Sequence, residues 1–315
     1  MKNLPHHLKP KEFVATFPTG SYDIIARQLK RFSIDALTIL EHNDNTVSIR
    51  TKLTPEKLIE MRFFTNVYMV LNESRLGQYK RYLKTESFRL FSFVNEVHTE
   101  LNPDAKKRLS GLIERELGIK PNVSKFSHDF VVHRNNAGEP VLTLRLSRAK
   151  HKREDIRAGA LRPELANVLL LTAAIHPNDI LVDPFAGYGS IAIEAVRGFG
   201  VKKVIAVEGD LNMADQIQQR GVTVHIGDAC SLDMLSIDEA DKVVTNPPWS
   251  ANEELYKKSF SEISRILKPQ GVAVILSGNE TLGTILRSVR GMSVIKSFPI
   301  LVAGKGATVY KLLKS

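Results

Sequence analysis

The stretch "ILVDPFAGYGSIAIEAV", residues 180–196, decides the fold. It opens with a short apolar run ending at Asp183, turns through Gly187 and Gly189, and continues from Ser190 with helical periodicity. A buried strand, a glycine-bearing turn and a helix in that order form a βα unit. The glycines let backbone come close to a ligand, and the first N–H groups of the helix point at it. The spacing differs from G-x-G-x-x-G, and an acid stands ahead of the turn where a pyrophosphate would be repelled.

From Leu161 onward, strand patterns alternate with helical ones, which predicts a parallel sheet with crossover helices. The strands are read in "DILVDPF", "KKVIAVE", "VTVHIG", "DKVVTNP", "GVAVILS", "SVIKSFPILV" and "ATVYKLL". Only "AGKG" separates the last two, so they are expected to form an antiparallel hairpin at the sheet's edge, with "GKG" its turn and no phosphate loop. Acids recur at the ends of the next two strands. Glu208 and Asp228 stand there, and an ionised carboxylate offers two oxygens that can accept from hydroxyl or amino donors. Either acid alone is more often a cap or turn residue.

"DKVVTNPPWS", residues 241–250, runs a buried strand into two prolines that cannot continue a ladder, which puts Asn246 at the strand's carboxyl edge. Open α/β sheets bind ligands at that edge. D-P-x-x-G-x-G resembles motif I of the class I S-adenosylmethionine-dependent methyltransferases, and Asn246-Pro247-Pro248-Trp249 resembles their N-P-P-[Tyr/Phe/Trp] motif IV, found where an exocyclic amino group of a nucleobase is methylated. The resemblance puts Asp183 near the donor's ammonium and extends the donor-binding set to Phe185, Ala186, Gly187, Gly189, Ser190, Glu208, Asp228, Ala229 and Asn246. An aromatic amine's lone pair is delocalised into its ring. The Asn246 side-chain oxygen and the Pro247 carbonyl can accept the two amine hydrogens and aim that lone pair at the methyl group. Trp249 offers a flat apolar face on which an extruded base can stack.

In "ALRPELANVLLLTAA" a helix begins with Pro163 at its first turn, and "LRP" resembles the helix ahead of motif I in THUMP-containing RNA guanine-N2 methyltransferases. Arg162 either helps line the donor pocket or pairs with a surface acid.

The front half carries a different pattern. "EFVATF", "SYDIIARQLKRF", "ALTILE", "TVSIRT", "PEKLIEM" and "FFTNVYMVLN" read as βαββαβ, the ferredoxin-like order. After the basic "RLGQYKRYLK" come a strand "FRLFSFV", a helix "PDAKKRLSGLIEREL" and a hairpin of "HDFVVHR" and "PVLTLRLS" around "NNAGE", a second small α+β module. Residues 1–150 hold 25 Lys and Arg against 16 Asp and Glu, whereas 151–315 hold 19 against 18. A basic half joined to a near-neutral one suggests that the first holds a polyanion. Arg145, Arg148, Lys150, Lys152, Arg153 and Arg157 suit either a linker that touches phosphate or a merely solvated one.

The order "LRP", "DPFAGYGS", "NPPW", behind that front half, resembles the THUMP-containing tRNA (guanine-N2) methyltransferases. Tyr188 stands where that family has a small hydroxyl residue, and Trp249-Ser250 replaces Tyr-Gly or Phe-Gly. The resemblance implies an α/β chain of three parts: a ferredoxin-like domain at 1–75, a THUMP-like RNA-binding domain at 76–150 and a Rossmann-like class I methyltransferase at 151–315. It implies S-adenosyl-L-methionine as donor and RNA, at the tRNA acceptor end, as the partner of the basic half. A DNA adenine-N6 or cytosine-N4 methyltransferase shares the same motif IV logic. A catalytically idle RNA-binding protein and a protein glutamine methyltransferase are further alternatives. The start "MKNLPHHLKP" lacks an apolar leader segment, and the longest apolar run, 166–175, is too short to span a membrane, so a cytoplasmic protein is expected. Cys230 is the only cysteine, which rules out an intrachain disulfide and reads as core filler. The nine histidines form no spaced ligand set, so no metal site is expected.

Overall fold

The computed structural model describes residues 11–83, 87–94, 97–147, 160–218, 222–236 and 238–315. The chain divides into two compact units, Met1–Phe17 with Ala26–Lys150 and Pro18–Ile25 with His151–Ser315. Among the described residues no helix is long and apolar enough to cross a membrane.

The first unit starts with β1 (Lys11–Thr16), α1 (Tyr22–Leu29, its first residues counted with the second unit), β2 (Leu37–His42), β3 (Thr46–Thr51), α2 (Pro55–Ile59) and β4 (Asn66–Val70). These strands lie in the order β2-β3-β1-β4, each pair antiparallel, which is the predicted ferredoxin-like arrangement. Period-2 burial explains the pairing. Phe13 and Ala15, Val47 and Ile49, and Val67 and Met69 all face one side and are almost wholly buried.

The sheet then continues. A run of 3-10 turns over Glu73–Tyr82 precedes β5 (Ser87–Val94), β6 (Val97–Thr99), α3 (Pro103–Leu117), β7 (Lys120–Pro121), β8 (His128–Arg134) and β9 (Pro140–Arg145). β9 pairs with β4, so the path β2-β3-β1-β4-β9-β8-β5-β6 is one sheet, with β7 beside β5. The 3-10 run, β6 and β7 carry no periodic signal, being a kinked stretch, three residues and two residues. α3 is bounded as its sequence dictates. Asn102 accepts from the N–H groups of Asp104 and Ala105, Pro103 opens the first turn, Gly118 closes the helix at φ 73°, and Leu109, Ile113 and Leu117 are buried at four-residue spacing.

Arg145 corrects the reading of the basic linker. Its guanidinium donates to Asn66 Oδ1 and pairs with Asp129 at 3.2 Å, and Asp129 is buried and also pairs with Arg89 at 3.0 Å. That charge is neutralised inside the sheet rather than offered to phosphate. Arg148, Lys150, Lys152, Arg153 and Arg157 lie outside the described residues.

The second unit contains α4 (Pro163–Ala173), β10 (Ile180–Asp183), α5 (Ser190–Phe199), β11 (Lys203–Glu208), α6 (Leu211–Gln218), β12 (Thr223–Ile226), β13 (Ala240–Thr245), α7 (Glu253–Ile266), β14 (Leu267–Ser277), α8 (Leu282–Ser288), β15 (Met292–Val302) and β16 (Lys305–Lys314). The order is β12-β11-β10-β13-β14-β16-β15. The first five strands are parallel and the last two are antiparallel additions. The predicted hairpin turns through Ala303 (φ 50°) and Gly304 (φ 80°), the two positive φ angles that a two-residue hairpin turn needs. Only β15 takes the edge, because β16 inserts against β14. Strand order reverses between β10 and β13, so their carboxyl ends open the crevice in which such sheets bind ligands.

Candidate active site

Asp183 ends β10 and is 1% exposed. Its Oδ1 accepts from the Thr245 hydroxyl at 2.8 Å, across from the end of β13, and from the Phe185 N–H at 3.3 Å. Among the described residues no cation pairs with it. Burial raises its carboxyl to about 7, the charge of Glu208 adds to the rise, and the Thr245 and Phe185 hydrogen bonds oppose it. A buried carboxylate held only by neutral donors suits a ligand that brings its own positive charge.

The turn that follows is built by its glycines. Gly189 caps α5 at φ 75°, and a Cβ there would lie 2.8 Å from Ile217 Cγ1 on α6, so only glycine lets α5 pack this closely. Gly187 has φ 53° and open space around its Cβ position. Its N–H donates to Glu208 Oε2 at 2.7 Å, while the Asp210 N–H donates to Oε1 at 2.9 Å. Glu208 therefore tethers the glycine turn to the end of β11, with a second lone pair on each oxygen available for hydroxyl donors.

A cavity of about 70 Å³ is lined by Asp183, Phe185, Ala186, Gly187, Ser190 and Asn246, all predicted, together with Ala160, Leu161, Tyr188 and Ile191. The structure thus brings the glycine turn and the first residue of the N-P-P-W stretch to one space. Glu208 lies outside this cavity and is joined to it through Gly187. Asp228 is exposed at the end of β12 and accepts from the Cys230 N–H at 2.8 Å, while Ala229 is buried beside it. Cys230 is half-buried rather than core filler, its thiol 3.8 Å from the Leu255 carbonyl, and burial together with Asp228 pushes the thiol's pKa up. The Arg162 side chain is largely exposed and directed at Glu164, 3.8 Å away, while its neighbours Leu161 and Ala160 line the cavity.

Asn246 is half-buried and Pro247 buried. The indole Nε1–H of Trp249 donates to Asn246 Oδ1 at 2.9 Å. Tyr256 on α7 donates its hydroxyl to the Pro248 carbonyl at 2.6 Å, and Asn279, after β14, donates Nδ2–H to the Trp249 carbonyl at 3.1 Å. Sequence reasoning missed Thr245, Gly278 and Asn279. Thr245 carried one available signal, a hydroxyl residue directly ahead of Asn246 at a buried strand end; the other two carried none.

Residues 150–205 match the UPF0020 family, described as an RMKL-like methyltransferase domain. Among curated proteins the chain is 28% identical to the tRNA (guanine(10)-N2)-dimethyltransferase of Methanocaldococcus jannaschii, over 39% of this chain and 39% of that one. It is 24% identical to the tRNA (guanine(6)-N(2))-methyltransferase THUMP3 of Bos taurus, over 70% of this chain and 49% of the bovine one. The chain spans less than half the length of both relatives. TrmN from Thermus thermophilus has the same fold, with a TM-score of 0.79 at 20% identity over 96% of this chain and 99% of that one. A possible methylase from Clostridium difficile 630 follows at 0.71 and 16% identity, over 98% and 99%. The sheet order and these solved structures show that the described residues of the second unit have a Rossmann-like fold shared with methyltransferases, and parts of the chain are similar to tRNA guanine-N2 methyltransferases.

Proposed function

We propose that the chain transfers a methyl group from S-adenosyl-L-methionine to an exocyclic amino group of a nucleobase, N2 of guanosine in tRNA. The observation that carries this reading is that Asp183 and Asn246, ending adjacent parallel strands, line one cavity. Asp183, held by neutral donors alone, is the partner for the donor's ammonium. Glu208 takes the ribose hydroxyls and Asp228 the adenine amino group. When bound, the donor supplies a methyl activated by its sulfonium. Asn246 Oδ1 and the Pro247 carbonyl hold the amine hydrogens so that the nitrogen lone pair faces that methyl. The tRNA guanine-N2 activities of the relatives favour guanosine in tRNA over the DNA alternatives.

The ferredoxin-like part at 1–75 and the THUMP-like part at 76–150 bind the tRNA acceptor end through their surplus of cations, and the protein works in the cytoplasm, where its substrate is. The test is incubation of the full chain with labelled S-adenosylmethionine and separate pools of tRNA, rRNA, DNA and protein. Digestion of the labelled pool should yield N2-methylguanosine from tRNA, and Asn246→Ala should lower turnover at least about 100-fold. N6-methyladenine from DNA would transfer the assignment to the rival reading. Label in no pool would leave an RNA-binding protein without catalysis.

A further inference from the structure

An amide is ambiguous at its tip, because one end accepts hydrogen bonds and the other donates them. Asn246 can hold an amine hydrogen only if its oxygen faces the amine. If the nitrogen faced it, two donors would meet. What selects the oxygen is visible in the structure. The indole Nε1–H, a group that only donates, reaches Asn246 Oδ1 at 2.9 Å. It can be satisfied by the oxygen and never by the NH2 group, and it uses one of two lone pairs, leaving the other for the substrate.

The indole is itself held in place. It lies against Gly278, where an added Cβ would come within 2.3 Å of Trp249 Cε3 and 2.5 Å of Cζ3, so no larger residue fits beneath it. Asn279 clamps the Trp249 carbonyl with its Nδ2–H, while its own Oδ1 accepts from the Thr281 N–H at 2.9 Å and the Thr281 hydroxyl at 2.7 Å. The Asn279 N–H donates to Ser277 Oγ at 3.0 Å, tying this clamp to the end of β14. One ring face is thus seated on Gly278, the ring's N–H is committed to Asn246, and the following turn is fixed from a neighbouring strand.

We infer that Trp249 is a positioning residue for the transfer reaction: its indole N–H, seated on Gly278 and clamped through Asn279, sets the direction of the Asn246 amide. The inference rests on the methyl-transfer reading above and deepens it. A stacking role needs only an aromatic plane, whereas this role needs the N–H, and the two separate at Trp249→Phe.

The test uses the full chain in two measurements. Because the chain has one tryptophan, its indole N–H gives one unambiguous resonance in a ¹H–¹⁵N spectrum. That proton should be protected from solvent exchange in the wild type, and should lose protection in Asn246→Ala. In transfer assays, Trp249→Phe should lower kcat about 10- to 100-fold while donor Kd and RNA KM stay within about twofold. Gly278→Ala, which displaces the indole while keeping it, should show the same split between kcat and KM. Trp249→Phe added to Asn246→Ser should slow the reaction no further than Asn246→Ser alone, since both act through one amide. Wild-type kcat in Trp249→Phe, or an indole proton that exchanges freely in the wild type, overturns the inference while leaving methyl transfer intact. Absence of transfer by the wild type to any nucleic acid overturns the underlying reading and, with it, the catalytic role of the hydrogen bond, even where the indole proton is protected.

Discussion

Asp183 is placed against its own electrostatic interest. Its carboxyl is raised to about 7 by burial, far above the ordinary aspartate value of 3.8. Between those two pH values the folded chain keeps a proton that the unfolded chain has lost, so the residue removes stability as pH rises through that window, and the loss is complete above about 7. Asp183→Asn keeps an oxygen for Thr245 and Phe185 and removes the titration. Thermal and urea unfolding should show the wild type losing about 3 kcal/mol more than Asp183→Asn between pH 5 and pH 8. Calorimetry should show that the same variant no longer binds S-adenosylmethionine measurably. Equal pH dependence of the two proteins would remove the buried carboxylate as the cause. Glu208 makes the complementary case, because it is not deeply buried and already holds two backbone N–H groups. Glu208→Ala should weaken donor binding by about 1.5–3 kcal/mol, the range for hydrogen bonds to a charged group. An unchanged calorimetric affinity would take Glu208 out of the donor site.

The βα turn ahead of α5 shows how two glycines two positions apart can have different reasons to be there. Gly189 has both a positive φ and a blocked Cβ position, whereas Gly187 has the positive φ with open space beside it. Gly189→Ala should therefore cost about 2–4 kcal/mol through backbone strain plus the collision with Ile217, and Gly187→Ala about 1–2 kcal/mol from strain alone. Urea titrations of the two variants measure the difference, and equal costs would mean that the α5–α6 contact yields easily. The same contrast explains why the G-x-G spacing was readable while its purpose was not. Glycine in a turn announces a backbone need, but the Ile217 side chain that closes the space beside Gly189 comes from the following βα unit.

Across the molecule, positive charge is concentrated where RNA binding is proposed, with a surplus of nine cations over residues 1–150 against one over 151–315. If six phosphates are contacted, tRNA affinity should fall about 1,000-fold between 50 and 200 mM salt, while donor affinity stays flat. Fluorescence anisotropy over a salt series reads the first and calorimetry the second; a flat tRNA curve would exclude the cationic surface as the source of affinity. Arg145 should stand apart from that behaviour. Paired with buried Asp129 inside the sheet, its replacement by Gln should lower stability and leave the salt slope untouched.

The local elements were legible because their causes are local. Apolar runs bounded by turn residues marked β10 to β16, Pro163 and Pro103 marked helix starts, and acids at successive strand ends marked the carboxyl edge of the sheet. Chain order alone could not place β16 between β14 and β15, join β9 to β4, or pair Thr245 with Asp183 across 62 positions. Every strand presents the same backbone donors and acceptors, so periodicity says that a segment will pair but not with which neighbour. Charge has the same limit. Arg145 read as one cation of a linker either touching phosphate or merely solvated until Asp129 and Asn66 were folded against it, and the raised carboxyl of Asp183, already marked by its motif, follows only from the fold closing over it. Residue type and local pattern therefore set which groups are candidates for the chemistry, while tertiary packing decided which are desolvated, which are neutralised, and which, like Asn246 at the indole N–H of Trp249, accept a hydrogen bond from one direction.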